Sequence, residues 1–301
     1  MRFLAFGDSG PERDFLDKML RIDFSSVDFL LFTGDLATTP DMWHFAQQRV
    51  LKQPSVLDKK DVKTNEKYIE LHNEKFKNGL TKYKEAVKQL VSLSRKVPIY
   101  GVFGNADLEA FVSQTEILNC MTLLHKRSVE VNGYHLVGYS GEAIHLLEET
   151  YPDKADVLGF RIDFCRFNTH AFKETEVYND LSGILNKADP RTVILVTHSP
   201  PYGILDNVLS RFVKWATITY GERGKNGNIG STGLAKVDST FHPFMHIFGH
   251  VDENKGVLVK ENTIFINTGG CSKDGEVVDV ETSNHRIEIR FKKVDYFISA
   301  N

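Results

Sequence analysis

Cysteine is scarce. Cys120, Cys165 and Cys271 are the only three in 301 residues, widely spaced and forming no C-x-x-C pair. That spacing excludes a disulfide framework and suits a reducing compartment, with buried free thiols as the simplest use. Long apolar runs are missing too. The N-terminal MRFLAFGDSG reaches Gly-Asp after a short apolar run, and no stretch approaches the roughly 20 residues needed to span a bilayer. A soluble, cytoplasmic protein without membrane contact is expected. Positive charge is not in excess either: 37 Lys and Arg stand against 40 Asp and Glu, a formal net charge of -3. This excludes bulk binding to a nucleic-acid backbone and leaves nucleic acid only as a substrate. Internal repeats and low-complexity tails are also absent.

What the chain has is apolar residues in short runs. With 41% hydrophobic residues it can bury a substantial core. Runs rich in β-branched and aromatic residues recur as RFLAF, VDFLLFT, VPIYGVF, YHLVGYS, TVILVTH, FMHIFGH, TIFINTGG, EVVDV and RIEIRF. These read as strands. Between them, Ile69, His72, Phe76, Leu80, Tyr83, Val87 and Leu90 recur at helical spacing with charges elsewhere. That pattern is an amphipathic helix laid on a sheet, with a dimer seam as the alternative. The polar KQPSVLDKKDVKTNEK before it and the Gly/Asn-rich cluster at 221–233 read as connections. The expectation is one α/β domain over residues 1–301 with a helical insertion around 50–95.

Five of the strands run directly into a residue able to bind metal: FLAFGD into Asp8, LLFTGD into Asp35, YGVFGN into Asn105, ILVTH into His198 and HIFGH into His250. Strand-end loops are where α/β sheets place their sites, and the Gly before several of these residues suits a tight turn. Asp8 or Asp35 taken alone reads better as a turn or helix cap, and His250 alone equally well as a core histidine. Together, two carboxylates, an amide oxygen and two imidazoles form a mixed O/N set suited to Mn, Fe or Zn. Within Gly104-Asn105-Ala106-Asp107, an inert Ala106 separates two residues suited to metal or phosphate.

This order of motifs resembles the calcineurin-like metallophosphoesterases, whose pattern is D-x-H, G-D, G-N-H-D/E, H and G-H-x-H. The resemblance covers roughly residues 1–280 and extends to THSPP at 197–201, NIGS at 228–231 and NTGG at 267–270. It implies a four-layer α/β/β/α sandwich of two facing mixed β-sheets flanked by helices. It also implies two metals bridged by Asp35, one held further by Asn105, His198 and His250, the other by Asp8 and Asp252. Asn105 and His198 would also border the substrate phosphate. The pattern's histidines are replaced by Gly10, Ala106 and Asp252. The second metal set is therefore intact, whereas the first keeps only carboxylates and would favour Mn or Mg. Ala106 removes the family's leaving-group acid or phosphate-stabilising residue, a loss that slows rather than abolishes metal-assisted attack.

No catalytic residue is assigned; His44, after GDLATTPDMW, is a weak candidate to lean over the site. His246 reads as a core histidine. Arg211, Lys214, Arg223 and Lys225 are positioned to face a phosphate, although a solvated loop is the simpler reading. The expected activity is metal-dependent phosphoester hydrolysis, by a phosphomonoesterase or phosphodiesterase, on a phosphorylated small molecule or nucleotide. A catalytically inactive binding or scaffold protein of the same fold is the alternative, and a protein partner or homodimer stays open.

Overall fold

Which way successive side chains face within each apolar run sets the layers. The structure, a computed structural model, describes residues 1–9, 14–36, 81–105, 107, 116–143, 171–220, 222–283 and 286–299. In strand β1 (Arg2–Phe6), Phe3 and Ala5 point to one face and Leu4 and Phe6 to the other, and all four are buried. Strand β2 (Phe29–Phe32) divides in the same way. A strand covered on both faces needs apolar residues at every position, which is why these runs are continuous rather than alternating.

Phe3, Ala5, Phe29 and Leu31 meet Ile194 and Val196 of β9 (Val193–Thr197) and Met245 and Ile247 of β10 (Met245–Phe248) between two sheets. Leu4, Phe6, Leu30 and Phe32 pack outward against helix Asp14–Met19 and a helix over 81–94. On the opposite side, Val193 and Leu195 pack against helices Glu174–Leu185 and Thr232–Phe241. The expected α/β/β/α sandwich is the fold. Tyr83, Val87 and Leu90 lie in the helix–sheet core, so the described part of the amphipathic stripe covers a sheet. Its earlier positions, and most of the expected 50–95 insertion, lie outside the described residues.

The first sheet adds β3 (Ile99–Gly101), β4 (Thr122–Leu123), β13 (Glu276–Ser283) and β14 (Arg286–Lys293), in the order β14-β13-β1-β2-β3-β4. Strands β1 to β4 are parallel, and β13 and β14 add on antiparallel. The second sheet adds β5 (Arg127–Val131), β6 (Tyr134–Tyr139), β11 (Gly256–Lys260) and β12 (Thr263–Asn267), in the order β11-β12-β10-β9-β6-β5. Here β12, β10, β9 and β6 are parallel, with antiparallel β11 and β5 at the edges, and β7 (Glu142–Ala143) and β8 (Ala171–Phe172) form a separate parallel pair. Each sheet thus brings the C-terminal ends of its parallel strands to one rim, where sites form. Among the described residues, no helix is long and apolar enough to cross a membrane.

Candidate metal centre

Asp8 follows β1, Asp35 follows β2, Asn105 follows β3, His198 follows β9, and His250 and Asp252 follow β10. Gly10, His44 and Ala106 lie outside the described residues. The chain turns sharply at the candidates themselves: Asp8, Asp35 and His250 have φ of 46°, 58° and 71°. Left-handed backbone at non-glycine residues is strained and clusters at functional sites. A preceding Gly takes such a turn before Asp35, where Gly34 has a φ of 103°, whereas Gly104 and Gly249 serve another purpose. A Cβ on Gly104 would lie 2.0 Å from Asp35 Oδ1, and one on Gly249 would lie 2.6 Å from Asp8 Oδ2. These glycines make room for carboxylates.

His198 is fully buried, and its Nδ1 donates to the Thr33 carbonyl at 2.9 Å. That bond fixes the ring and turns Nε2 toward Asn105 Oδ1 at 2.7 Å, His250 Nδ1 at 3.1 Å and Asp35 Oδ2 at 3.5 Å. One proton on Nε2 cannot serve three acceptors at once, and a cation beside this nitrogen would relieve the crowding. His198, His250, Asn105 and Asp35 thus bring a mixed O/N set of possible donor atoms around one ring nitrogen. Ligand atoms of Asp8, Asp35 and His198 also lie within 4.8 Å of one another, so Asp8 adjoins the same space. His250 and Asp252 are not in that group; the buried Oδ1 of Asp252 accepts no hydrogen bond and its carboxylate rests against Gly270.

The electrostatics of the neighbouring carboxylates are unfavourable to their charged forms. Burial, then the charges of Asp252 and Asp35, holds Asp8 well above the usual carboxylate range, despite the N–H of His250 donating to its Oδ2 at 2.9 Å. Burial, then Glu253 and Asp35, pushes Asp252 up to about 6, against the pull of Lys273 and His250. Burying carboxylates side by side is costly unless something positive joins them.

Asp107 has a different job from the one its neighbours suggested. Fully buried, it accepts the backbone N–H groups of Asp35 at 2.8 Å, Leu36 at 2.9 Å and Gly104 at 2.8 Å. It ties the β2 and β3 loops together, and burial beside Asp35 raises it to about 6 in spite of those donors.

Two residues missed in the sequence complete the surroundings of His250. Glu142, buried just beyond β6, places Oε1 3.4 Å from His250 Nε2. Tyr220, at the end of helix Val213–Tyr220, places its hydroxyl 3.3 Å from the same nitrogen. The signal for Glu142 was present, since YHLVGYSGE is another apolar strand running into a carboxylate.

His246 is a core histidine as expected, held between Asp238 at 2.9 Å and Thr197 Oγ1 at 2.9 Å. Arg223 departs from the solvated-loop reading: it is buried, ion-pairs with Glu174 and donates to the Gly230 carbonyl at 2.7 Å. Lys225 is exposed and pairs with Glu222, while Arg211 lies over the Phe212 ring. Lys214 is exposed.

Known proteins align with this architecture. The profile of the calcineurin-like phosphoesterases matches residues 1–254. A UPF0046 protein of Caenorhabditis elegans is 37% identical over 92 residues, which is 30% of this chain and 26% of that protein. Metallophosphoesterase domain-containing protein 1 of Homo sapiens is 28% identical over 86 residues, 29% of this chain and 22% of that protein. The match therefore spans about a quarter of the length of these curated relatives. A dimetal phosphatase from Danio rerio shares the fold at TM-score 0.55 and 12% identity, over 98% of this chain and 96% of that one.

Proposed function

The chain belongs to the calcineurin-like phosphoesterase family, and from that premise we propose that it is a metal-dependent phosphoester hydrolase working through Asp35, Asn105, His198 and His250. The observation that carries this reading is the convergence of three donor atoms on His198 Nε2 at 2.7, 3.1 and 3.5 Å. A bound divalent ion supplies Lewis-acid polarisation of a phosphoryl oxygen and activation of water. The protein's own residues prepare for it. The Thr33 carbonyl holds His198 in one tautomer, and Asp107 fixes the loops that carry Asp35 and Asn105. Asn105 and His198 border the position a phosphoryl group takes. Mixed O/N donors at this subsite suit Mn, Fe or Zn. Asp8, Asp35 and Asp252, a set without imidazole, form a weaker subsite suited to Mn or Mg. A phosphorylated small molecule or nucleotide, as mono- or diester, is the substrate class.

Elemental analysis of the purified chain, paired with hydrolysis of an aryl phosphodiester and an aryl phosphomonoester after Mn loading, tests the reading. Expected are about one tightly held equivalent and turnover that stops on chelation. A chain that stays metal-free in excess Mn overturns it. Metal uptake with no hydrolysis of either ester moves the function to a binding or scaffold role.

A further inference from the structure

Among the described rim carboxylates, Asp8, Asp35 and Asp252 are accounted for as candidate ligands and Asp107 as a loop clamp. Glu142 is not. It is buried to 3% exposure, begins the short strand Glu142–Ala143 just after β6, and approaches the ring of His250 from the side away from His198. The imidazole is thereby gripped at both ends, with Nδ1 at 3.1 Å from His198 Nε2 and Nε2 between Glu142 Oε1 at 3.4 Å and the Tyr220 hydroxyl at 3.3 Å. Its backbone is pinned as well, by the N–H bond to Asp8 at the strained φ of 71°.

We propose that Glu142 is a positioning residue for the metal centre, assisted by Tyr220: it accepts the Nε2 proton of His250 and so dedicates Nδ1 to the metal. The proposal rests on the metal-dependent reading above. A neutral imidazole carries one proton, and the group that accepts it decides which nitrogen keeps a lone pair. Near Glu142, the proton goes to Nε2. The choice of Glu is itself informative. In a rim already crowded with carboxylates, a neutral Gln would accept the same bond at less desolvation cost. A charged acceptor does more, because a carboxylate on the outer nitrogen raises the basicity of the inner one. A subsite with two imidazoles gains from that more than the all-carboxylate set beside it. Tyr220 supplies a second contact that limits rotation of the ring.

Titration of the full chain with Mn, followed by calorimetry, tests this in three variants. Glu142→Ala should weaken Mn binding by about 10- to 100-fold, the usual effect of removing a partner behind a ligating histidine. Glu142→Gln, which is isosteric and keeps an acceptor, should recover part of the loss, and Tyr220→Phe should cost less than either. Melting temperature in EDTA should not fall in Glu142→Gln, so the lost affinity is not lost folding. Glu142→Gln and Glu142→Ala both binding Mn as tightly as the parent overturns the proposal and leaves the phosphoesterase reading intact. A parent chain that takes up no Mn overturns both.

Discussion

Two buried acidic regions of this protein are built on opposite plans. At Asp279 in β13, a fully buried carboxylate meets Arg2 at 2.9 Å and Lys292 at 2.8 Å, with Arg290 opposite it in the β13–β14 register. Burial alone would raise its pKa, but Arg2 and Lys292 outweigh that and hold it below the usual range. At the strand-end rim, Asp8, Asp107 and Asp252 are raised instead. The chain supplies cations within reach of one cluster and, among the described residues near the other, mainly imidazoles and backbone N–H groups. The contrast teaches that, among the described residues, the rim carboxylates lack the Arg and Lys partners that Asp279 has, which is the arrangement a bound cation would complement.

The largest effect that could break this comparison is loss of the ion. With metal at 100 times its Kd, binding to the native state adds about 2.7 kcal/mol of stability. His198→Ala or His250→Ala should abolish that gain, seen as an unfolding midpoint that no longer responds to Mn, together with the loss of phosphodiesterase turnover. A midpoint still raised by Mn in either variant would mean that the ion binds elsewhere.

Next in size is Asp279→Asn. Breaking a fully buried ion pair costs roughly 3–5 kcal/mol. Arg2 and Lys292 keep partial access to water, so about 2 kcal/mol is expected here. Because the folded pKa of Asp279 is depressed, its contribution is present above the ordinary carboxylate pKa and lost as pH falls through the depressed value. The gap between parent and variant in urea denaturation should therefore close in acid and be unaffected by Mn.

Much of this contrast was legible in the sequence, and the rest was not for identifiable reasons. Strands buried on both faces announce themselves as unbroken apolar runs, so every such run, from RFLAF to TVILVTH, is a strand. Edge strands do so less reliably: β14 is legible as RIEIRF, whereas two others are not. β5 (RSVEV) and β11 (GVLVK) were passed over because their burial comes from one neighbour only and much of their side-chain surface meets solvent. At the rim, the candidate ligands were readable because each follows its strand directly. Glu142 was missed because it stands beyond a Ser-Gly step, and Tyr220 because it arrives on a helix with no periodic signal pointing at the site. The buried role of Arg223 depends on Glu174, 49 residues away, which no local pattern can show.

A smaller effect should reverse sign with the ion. Asp8→Asn keeps an oxygen to accept the His250 N–H while removing one of several crowded negative charges. In EDTA the variant should therefore be as stable as the parent or more stable by about 1 kcal/mol. In saturating Mn the order should invert, because the parent gains a ligand that the variant offers only as a neutral amide. Asp279→Asn, by contrast, should destabilise equally in both buffers.

The smallest expected effect lies at Asp252 and follows from its pKa of about 6. A carboxyl raised on folding from an unfolded value of roughly 4 favours the native state below that lower value. That contribution disappears as pH climbs through about 6, when a buried charge must form. In EDTA, Asp252→Asn never forms the charge, so its midpoint should gain on the parent between pH 5 and 7. Solvent screening limits the gain to about 1 kcal/mol. Mn should cancel or invert it at pH 7, where the ionised carboxylate becomes a ligand for the weaker subsite. Thermal melts of both proteins at pH 5, 6 and 7, with and without Mn, give the comparison. A midpoint difference that ignores pH in EDTA would place Asp252 in ordinary contact with solvent. The three-carboxylate subsite would then lose its third member, leaving Asp8 and Asp35 beside a single complete ion site.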